Sequence, residues 1–231
     1  KKRMKKASII LVSLFFGFYV QCQININEIY KEEIASGYTD SIIKNINYVK
    51  KGLNFCVIGD WGRHGQFYQK KVAYQLGNAV AGTDASFIIS TGDNFYPAGV
   101  KSVQDPSWEK SFEDVYTHHS TYVDWYVVLG NHDYGDYVKW DSQENKIQNL
   151  EALKKVHANM GWRLLMNENV KIKKDGAILQ LVGIENWGAK ARFPKYGKME
   201  LAMNGVQPDL PIILMSHDPS HWEAEVIPKY P

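Results

Sequence analysis

The chain has 231 residues, of which 45% are hydrophobic and 23% are charged, and this ordinary balance is enough for one sizeable hydrophobic core. The formal net charge is +2, and Lys and Arg residues are not clustered enough to indicate nucleic-acid binding. The chain contains no internal repeat and no linker rich in Pro, Gly or Ser. We therefore expect a single folded domain.

The first 23 residues have the pattern of a secretory signal peptide. Five basic residues accompany an apolar run of 14 residues, Ala7 to Val20, which is too short for a membrane span. The pattern predicts an exported protein, periplasmic or secreted, with no stable membrane span once the signal is cleaved. The alternative is that the segment is retained as an N-terminal anchor. After cleavage only Cys56 remains, which excludes an internal disulfide and favours a place in the core.

Residues 24–50 are polar with some helical spacing and are predicted to be an N-terminal leader segment, followed by the main domain over 51–231. Within that domain, short apolar runs predict five buried strands: Phe55–Ile58, Ser86–Thr91, Trp125–Leu129, Ile178–Ile184 and Pro211–Met215. Helical spacing of apolar residues predicts helices over Tyr68–Val80 and Leu150–Met160. Alternating strands and helices favour an α/β fold with mostly parallel strands, in which functional groups collect beyond the carboxyl ends of the strands.

Four of the five predicted strands run directly into polar residues that can bind a metal ion. These residues are Asp60 in GDWG, Asp93 in GDNFY, Asn131, His132 and Asp133 in GNHD, and His217 in SHD. One such turn is common, because Gly, Asp and Asn are favoured in turns, but four in succession predict a metal site at one edge of the sheet. Carboxylate and imidazole donors suit iron, zinc and manganese. Two such ions about 3.5–4 Å apart can clamp a phosphate and acidify a water molecule, with Asp93 as the natural bridge.

Tyr96 lies three residues after Asp93 and is an unusual candidate ligand. A phenolate is a poor ligand for a divalent ion and a good one for a hard ion of higher charge. If Tyr96 coordinates, one site therefore prefers Fe(III). The predicted cofactors are two metal ions, Fe(III) together with a divalent ion that is Fe, Zn or Mn.

The ordered motifs GDWG (59–62), GDNFY (92–96) and GNHD (130–133) resemble those of the purple acid phosphatases, especially the tartrate-resistant type. These enzymes belong to the calcineurin-like metallophosphoesterases. The resemblance implies an α/β sandwich with two central mixed sheets flanked by helices. It also implies that a dinuclear metal site hydrolyses phosphate monoesters of small phosphorylated substrates.

The same resemblance implies a role for each residue of the three motifs. Asp60 and Tyr96 would bind ferric iron, Asp93 would bridge the two metals, and Asn131 would bind the divalent ion. His132 would contact the phosphate and protonate the leaving group while a metal-bound hydroxide attacks phosphorus. Asp133, the second predicted catalytic residue, would orient His132.

From Tyr134 onward the chain resembles a different branch of the superfamily, the bacterial envelope metallophosphoesterases with a GNHDYGDY segment and a strand that ends in SHDPSHW. This resemblance makes His217 a ligand of the second metal. The superfamily closes its site with a GHxH motif, which is absent from this chain. We therefore expect a C-terminally truncated domain that binds metal poorly, so that the fragment alone is inactive.

The sequence as a whole predicts a metal-dependent phosphatase of the acid phosphatase type. Two alternatives stay open. One is an envelope phosphodiesterase or lipid-pyrophosphate hydrolase of the same superfamily, and the other is a non-catalytic phosphatase-like scaffold or binding protein, for which the missing GHxH motif is the argument. The remaining His residues, His64, His118, His119, His157 and His221, are not predicted ligands, and His157 is placed on the polar side of its helix.

Overall fold

The computed structural model describes residues 51–190 and 193–230. The predicted signal peptide (1–23) and leader segment (24–50) lie outside these residues. In the described part of the chain, no helix combines the length and the apolar character that crossing a bilayer requires.

A four-stranded parallel sheet forms the first half of the structure. Its strands, in spatial order, are β1 (Phe55–Ile58), β2 (Phe87–Ser90), β3 (Asp124–Val127) and β4 (Arg163–Leu164). Helix α1 (Gln69–Thr83) connects β1 to β2, and α2 (Gln143–Asn159) connects β3 to β4. Crossovers of this kind allow consecutive strands to run in the same direction, so that their carboxyl ends meet at one edge.

A three-stranded mixed sheet forms the second half. Strands β5 (Glu168–Lys174) and β6 (Ala177–Gly183) form an antiparallel hairpin, and β7 (Ile212–Met215) runs parallel to β6. The hairpin turn consists of Asp175 and Gly176, both with left-handed backbone (φ 50° and 82°), which is the turn that twisted antiparallel strands favour.

Short helical segments complete the chain. They are a π-helical turn at Glu109–Glu113, a 3₁₀ turn at His119–Thr121, helix α3 (Met199–Ala202), a second π-helical turn at Trp222–Val226, and helix α4 (Ile227–Lys229).

The two sheets pack face to face over a shared hydrophobic core. Alternate residues of the first sheet, such as Val57 and Ile89, contact Leu181 and Met215 of the second sheet. The intervening residues, Cys56 among them, point to the opposite face and pack beneath the helices. Burial raises the pKa of the Cys56 thiol to about 11, as expected for a core residue without a chemical role.

All five predicted strands and the first predicted helix are confirmed within a few residues at their ends, and the second predicted helix is confirmed but begins at Gln143, seven residues before the predicted Leu150. Two strands were not predicted. β4 has only two residues, and β5 reads ENVKIKK, in which lysines alternate with half-buried apolar residues and no apolar run appears. The expectation of mixed strand directions holds for the second sheet, whereas the described strands of the first are all parallel.

An aromatic cluster beneath the first sheet anchors the loop that follows β1. Trp61 is 3% exposed and packs against five aromatic rings: Phe95, Phe112, Tyr116, Trp125 and Trp162. Its indole nitrogen donates a hydrogen bond of 2.9 Å to the hydroxyl of Ser90 at the end of β2. The cluster therefore fixes the GDWG loop against the carboxyl edge of the sheet.

The prediction for His157 is wrong, because this residue is fully buried and does not lie on the polar side of α2. Its ring lies near those of Trp108 and Trp162, and its Nδ1 bonds to the carbonyl oxygen of Leu153 at 2.6 Å. Burial lowers the pKa of His157 to about 4, so the ring is neutral. Leu153 and His157 are four residues apart and share a helix face, and aromatic rings from other elements cover that face.

Candidate metal centre

The strand ends that carry the candidate ligands converge at one edge of the sandwich. Ile58 of β1 pairs with Ser90 of β2, and Ser90 pairs with Val127 of β3, so the three loops begin at the same level. The backbone N–H of Asp60 donates to the carbonyl of Gly92 at 3.0 Å, which joins the first loop to the second. This is the edge at which α/β sheets place functional groups.

Three side-chain oxygens meet at the centre of this edge. The phenol of Tyr96 lies 2.7 Å from Oδ1 of Asp60 and 3.0 Å from Oδ2 of Asp93. Burial and the two carboxylates raise the pKa of Tyr96, so its proton is held between negative oxygens. Both Asp residues adopt left-handed backbone (φ 56° and 51°), a strain that is typical of functional sites. A hard cation in place of that proton would meet a set of oxygen ligands it prefers.

His217 reaches the same centre from the end of β7, across the sandwich. Its Nδ1 bonds to the carbonyl oxygen of Thr91 at 3.0 Å, while its Nε2 lies 3.4 Å from Oδ1 of Asp93. Although burial alone acts to lower it, the hydrogen bond and charge of Asp93 raise the pKa of His217 to about 9. A ring nitrogen fixed on a backbone carbonyl leaves the other nitrogen directed at the centre, as in metal-binding histidines.

Asn131 lies in the loop after β3 and is almost fully buried, with 9% of the residue exposed. Its side-chain nitrogen has no hydrogen-bond partner among the described residues. The next backbone N–H, of His132, donates to Oδ1 of Asp93 at 2.9 Å and so ties this loop to the centre. A buried polar group without a partner is costly in a folded protein, and rotation of this amide would place its oxygen, which can bind a cation, at the same position.

The imidazole of His132 stands at the solvent side of the centre. Its Nδ1 lies 2.6 Å from the carbonyl oxygen of Pro97, and its Nε2 lies 4.0 Å from Oδ2 of Asp93. The ring of Tyr96 packs against it with the centroids 4.3 Å apart, and the ring of Tyr137 stacks on it at 4.1 Å. Backbone and aromatic contacts thus fix the orientation of His132.

The hydrogen bonds of the Asp133 carboxylate among the described residues go to groups other than the ring of His132, which it was predicted to orient. Its carboxylate is fully buried and accepts hydrogen bonds from the backbone N–H groups of Gly130, Asn94 and Phe95 at 2.8–2.9 Å. Burial and the charge of Asp93 raise its pKa to about 7. Asp133 thereby holds the GDNFY and GNHD loops together.

Two glycines allow the loops to approach this closely. Gly92 has left-handed backbone (φ 103°), and a methyl group on it would lie 2.7 Å from the backbone nitrogen of Gly130. A methyl group on Gly130 would lie 2.8 Å from Nε2 of His217. Both distances are shorter than any van der Waals contact, so only Gly leaves room for the converging side chains.

The other histidines lie away from the centre. His64 is exposed and bonds to Ser107, and His118 accepts from the backbone of Ser120 at the start of a 3₁₀ turn. His221 is buried between Ser216 and Glu225 and does not line the site. None of these was predicted as a ligand.

The donor set fits metal binding in chemical type. It comprises the carboxylates of Asp60 and Asp93, the phenol of Tyr96, the amide of Asn131 and the imidazole of His217. Within residues 51–190 and 193–230, no three His, Cys, Asp or Glu side chains form a ready-made metal cage. The converging set includes two residue types outside those four, and the sequence offers no GHxH motif to add further imidazoles.

Comparison with known proteins assigns a family to this arrangement. The family model described as calcineurin-like phosphoesterase matches residues 53–230. Purple acid phosphatase 7 of Arabidopsis thaliana is 49% identical over 112 residues, which cover 48% of this chain and 30% of that protein. Tartrate-resistant acid phosphatase type 5 of Homo sapiens is 39% identical over 88 residues, covering 36% of this chain and 27% of that protein. The chain thus spans less than a third of the length of these curated relatives.

A solved structure shares the fold. It is described as GAP50, the anchor in the inner membrane complex of Plasmodium, and it superimposes with a TM-score of 0.50 at 20% identity. The match covers 78% of this chain and 62% of that one. The two chains therefore have the same α/β sandwich architecture.

Proposed function

Because the chain belongs to the calcineurin-like phosphoesterase family, we propose that it is part of a metal-dependent phosphatase of the purple acid phosphatase type, which hydrolyses phosphate monoesters. The observation that carries this proposal is the convergence of the Asp60, Asp93 and Tyr96 oxygens, with Nε2 of His217, at the carboxyl ends of the strands. Export of the protein remains a prediction from its first 23 residues.

The proposed ligands divide between two ions that share Asp93. Asp60 and Tyr96 would hold Fe(III), and Asn131 and His217 would hold a divalent Fe, Zn or Mn ion. When bound, the pair of ions acidifies water and neutralises the charge of a phosphate group. The contacts between Asp93 and both Tyr96 and His217 support its place between the two ions.

His132 is the proposed proton donor to the leaving oxygen. Because its Nδ1 is directed at the carbonyl of Pro97, Nε2 is the atom that can present a proton on the side of the centre. The carboxylate of Asp93 lies 4.0 Å from Nε2, on the same side of the ring. The tilted ring of Tyr96 and the stacked ring of Tyr137 hold the imidazole in one orientation, so that little ordering is needed when a substrate binds.

Replacement of Tyr96 by Phe tests the proposed ferric site. The iron-loaded full-length protein is expected to be coloured, because a tyrosinate that binds Fe(III) absorbs visible light, and Tyr96→Phe is expected to abolish the band. Absorption spectra recorded at equal iron content give the comparison. Tyr137→Phe serves as the control, since it removes a neighbouring phenol that has no place in the ligand set. A colourless wild-type protein, or an unchanged band in Tyr96→Phe, contradicts the assignment.

The reaction class is tested with matched aryl substrates. The metal-loaded full-length protein is expected to hydrolyse p-nitrophenyl phosphate at least about tenfold faster than bis(p-nitrophenyl) phosphate, measured as kcat/KM from nitrophenolate release. Faster cleavage of the diester would favour the alternative of an envelope phosphodiesterase. Binding of phosphate with no turnover of either substrate would favour the non-catalytic scaffold.

A further inference from the structure

Arg63 is a positioned cation at the rim of the metal centre. Its guanidinium carbon lies 3.3 Å from the centroid of the Tyr96 ring and 5.7 Å from that of Phe67. In the described part of the chain, this guanidinium forms no ion pair and donates no hydrogen bond to a protein acceptor. Stacking therefore holds Arg63 in place while its N–H donors stay available to a ligand.

The loop that carries Arg63 has an unusual backbone. His64, Phe67 and Tyr68 all have left-handed φ values, of 53°, 51° and 65°, which bulky side chains seldom adopt. Phe67 and Tyr68 are also 77% and 75% exposed, so burial of their rings does not offset the strain. Strain of this kind persists only where surrounding contacts impose it, and it is concentrated at functional sites.

Buried polar contacts impose this loop conformation. The side-chain oxygen of Gln69 accepts hydrogen bonds from the backbone N–H groups of Arg63 and Gly65, at 3.0 and 2.7 Å. Its side-chain nitrogen donates to the carbonyl of Ser111 at 2.7 Å, and Gln69 itself is 4% exposed. The backbone of Arg63 is therefore fixed by the interior of the protein, and its side chain is placed by the rings of Tyr96 and Phe67.

Arg63 lies beside the oxygen cluster and not within it. The hydroxyl of Tyr96 points to Asp60 and Asp93, whereas the guanidinium lies against the ring and pairs with neither carboxylate. If a phosphate ester binds with its phosphate over the carboxylates, Arg63 lies beside the site, where it can contact the leaving part of the ester. A guanidinium with free donors in this place is suited to the paired oxygens of a phosphate or a carboxylate.

We propose that Arg63 binds a second anionic group of the substrate, so that the site prefers phosphate esters that carry another phosphate or carboxylate on the leaving part. This inference rests on the proposed function, because it takes the reacting phosphate to lie at the metal centre. It assigns the substrate class through one residue that has no part in the proposed ligand set or in proton transfer.

The test compares 3-phosphoglycerate with glycerol 3-phosphate, two esters that differ in a carboxylate and a hydroxymethyl group. In the metal-loaded full-length protein, kcat/KM is expected to favour 3-phosphoglycerate. Arg63→Gln is expected to lower kcat/KM for 3-phosphoglycerate about 10- to 100-fold, and that for glycerol 3-phosphate by less than about threefold. Arg63→Lys should restore part of the preference, because Lys keeps the positive charge but lacks the paired N–H donors of the guanidinium. Lys70→Gln, which removes an exposed cation nearby, is the control and should change neither value.

The two proposals fail in different ways. Equal losses on both substrates in Arg63→Gln, or a wild-type protein without preference, would overturn the role of Arg63 and leave the phosphatase proposal standing. If neither ester is hydrolysed, calorimetric binding of the same pair decides the inference. Tighter binding of 3-phosphoglycerate that depends on Arg63 then supports the anion site while the proposed activity fails, and equal binding overturns it.

Discussion

Asp93→Asn is expected to lower hydrolysis of p-nitrophenyl phosphate by about a thousandfold or more and to leave the protein with fewer than two metal ions per chain. Asp93 contacts more residues of the centre than a single pairing would require. Its two oxygens contact the phenol of Tyr96, Nε2 of His217 and the backbone N–H of His132. An amide keeps the size of the side chain and removes the negative charge that two cations would share, so the loss follows from charge and not from shape.

Metal content and kcat/KM measured on the same preparations check this prediction. Asp209→Asn is the matched control, because Asp209 is exposed and forms no ion pair with a described residue. Its metal content and its activity are both expected to match those of the wild type. An Asp93→Asn variant that retained two ions per chain and full turnover would remove Asp93 from the centre.

His132→Ala is expected to lower kcat by about 10²- to 10⁴-fold while metal content stays near the wild-type value. His132 would act on the leaving oxygen, so the loss should be larger for an alkyl phosphate than for p-nitrophenyl phosphate, whose leaving group needs no proton. Rates on both substrates, combined with metal analysis, separate this role from metal binding. His119→Ala is the control, because His119 is an exposed histidine in the 3₁₀ turn before β3, at the amino ends of the strands.

Two outcomes would contradict the role given to His132. Loss of a metal ion in His132→Ala would make this residue a ligand. Equal losses on the alkyl and aryl substrates would show that it binds the phosphate without transferring a proton.

Much of the fold could be predicted because buried strands in a parallel sheet are continuous apolar runs. The runs at Phe55–Ile58 and Pro211–Met215 stand out for this reason, and each ends in a candidate ligand. β5 was not predicted, since its lysines alternate with apolar residues and one of its faces is exposed. The candidate ligands could be grouped without coordinates, because parallel strands bring their carboxyl ends together.

The finer assignments depended on contacts that sequence neighbours do not reveal. Asp133 is adjacent to His132 in sequence, yet its carboxylate turns inward to the GDNFY loop, and Pro97 and Tyr137 hold the imidazole instead. His157 has the sequence context of a surface residue and is covered by rings from distant segments. The role proposed for Arg63 could not be predicted from the sequence, because its stacking on Tyr96 is visible only in three dimensions.

The apparent change of branch at Tyr134 does not divide the chain into unrelated parts. One family model matches residues 53–230, a range that includes this position. Tyr134 itself links the two regions, because its hydroxyl donates to Glu185 at 2.7 Å and its ring stacks on that of Tyr196. The resemblance of residues 134–231 to envelope enzymes stays a prediction about substrate, and the metal centre draws on both segments.

The most direct measurement of the central claim is the rate of p-nitrophenyl phosphate hydrolysis by the metal-free full-length protein as iron and then zinc are added in known equivalents. A dinuclear centre at the strand ends predicts little activity with one ion per chain and a plateau at two, with the plateau absent in Asp93→Asn. Full activity in the metal-free protein, or a plateau at one ion per chain, would contradict it.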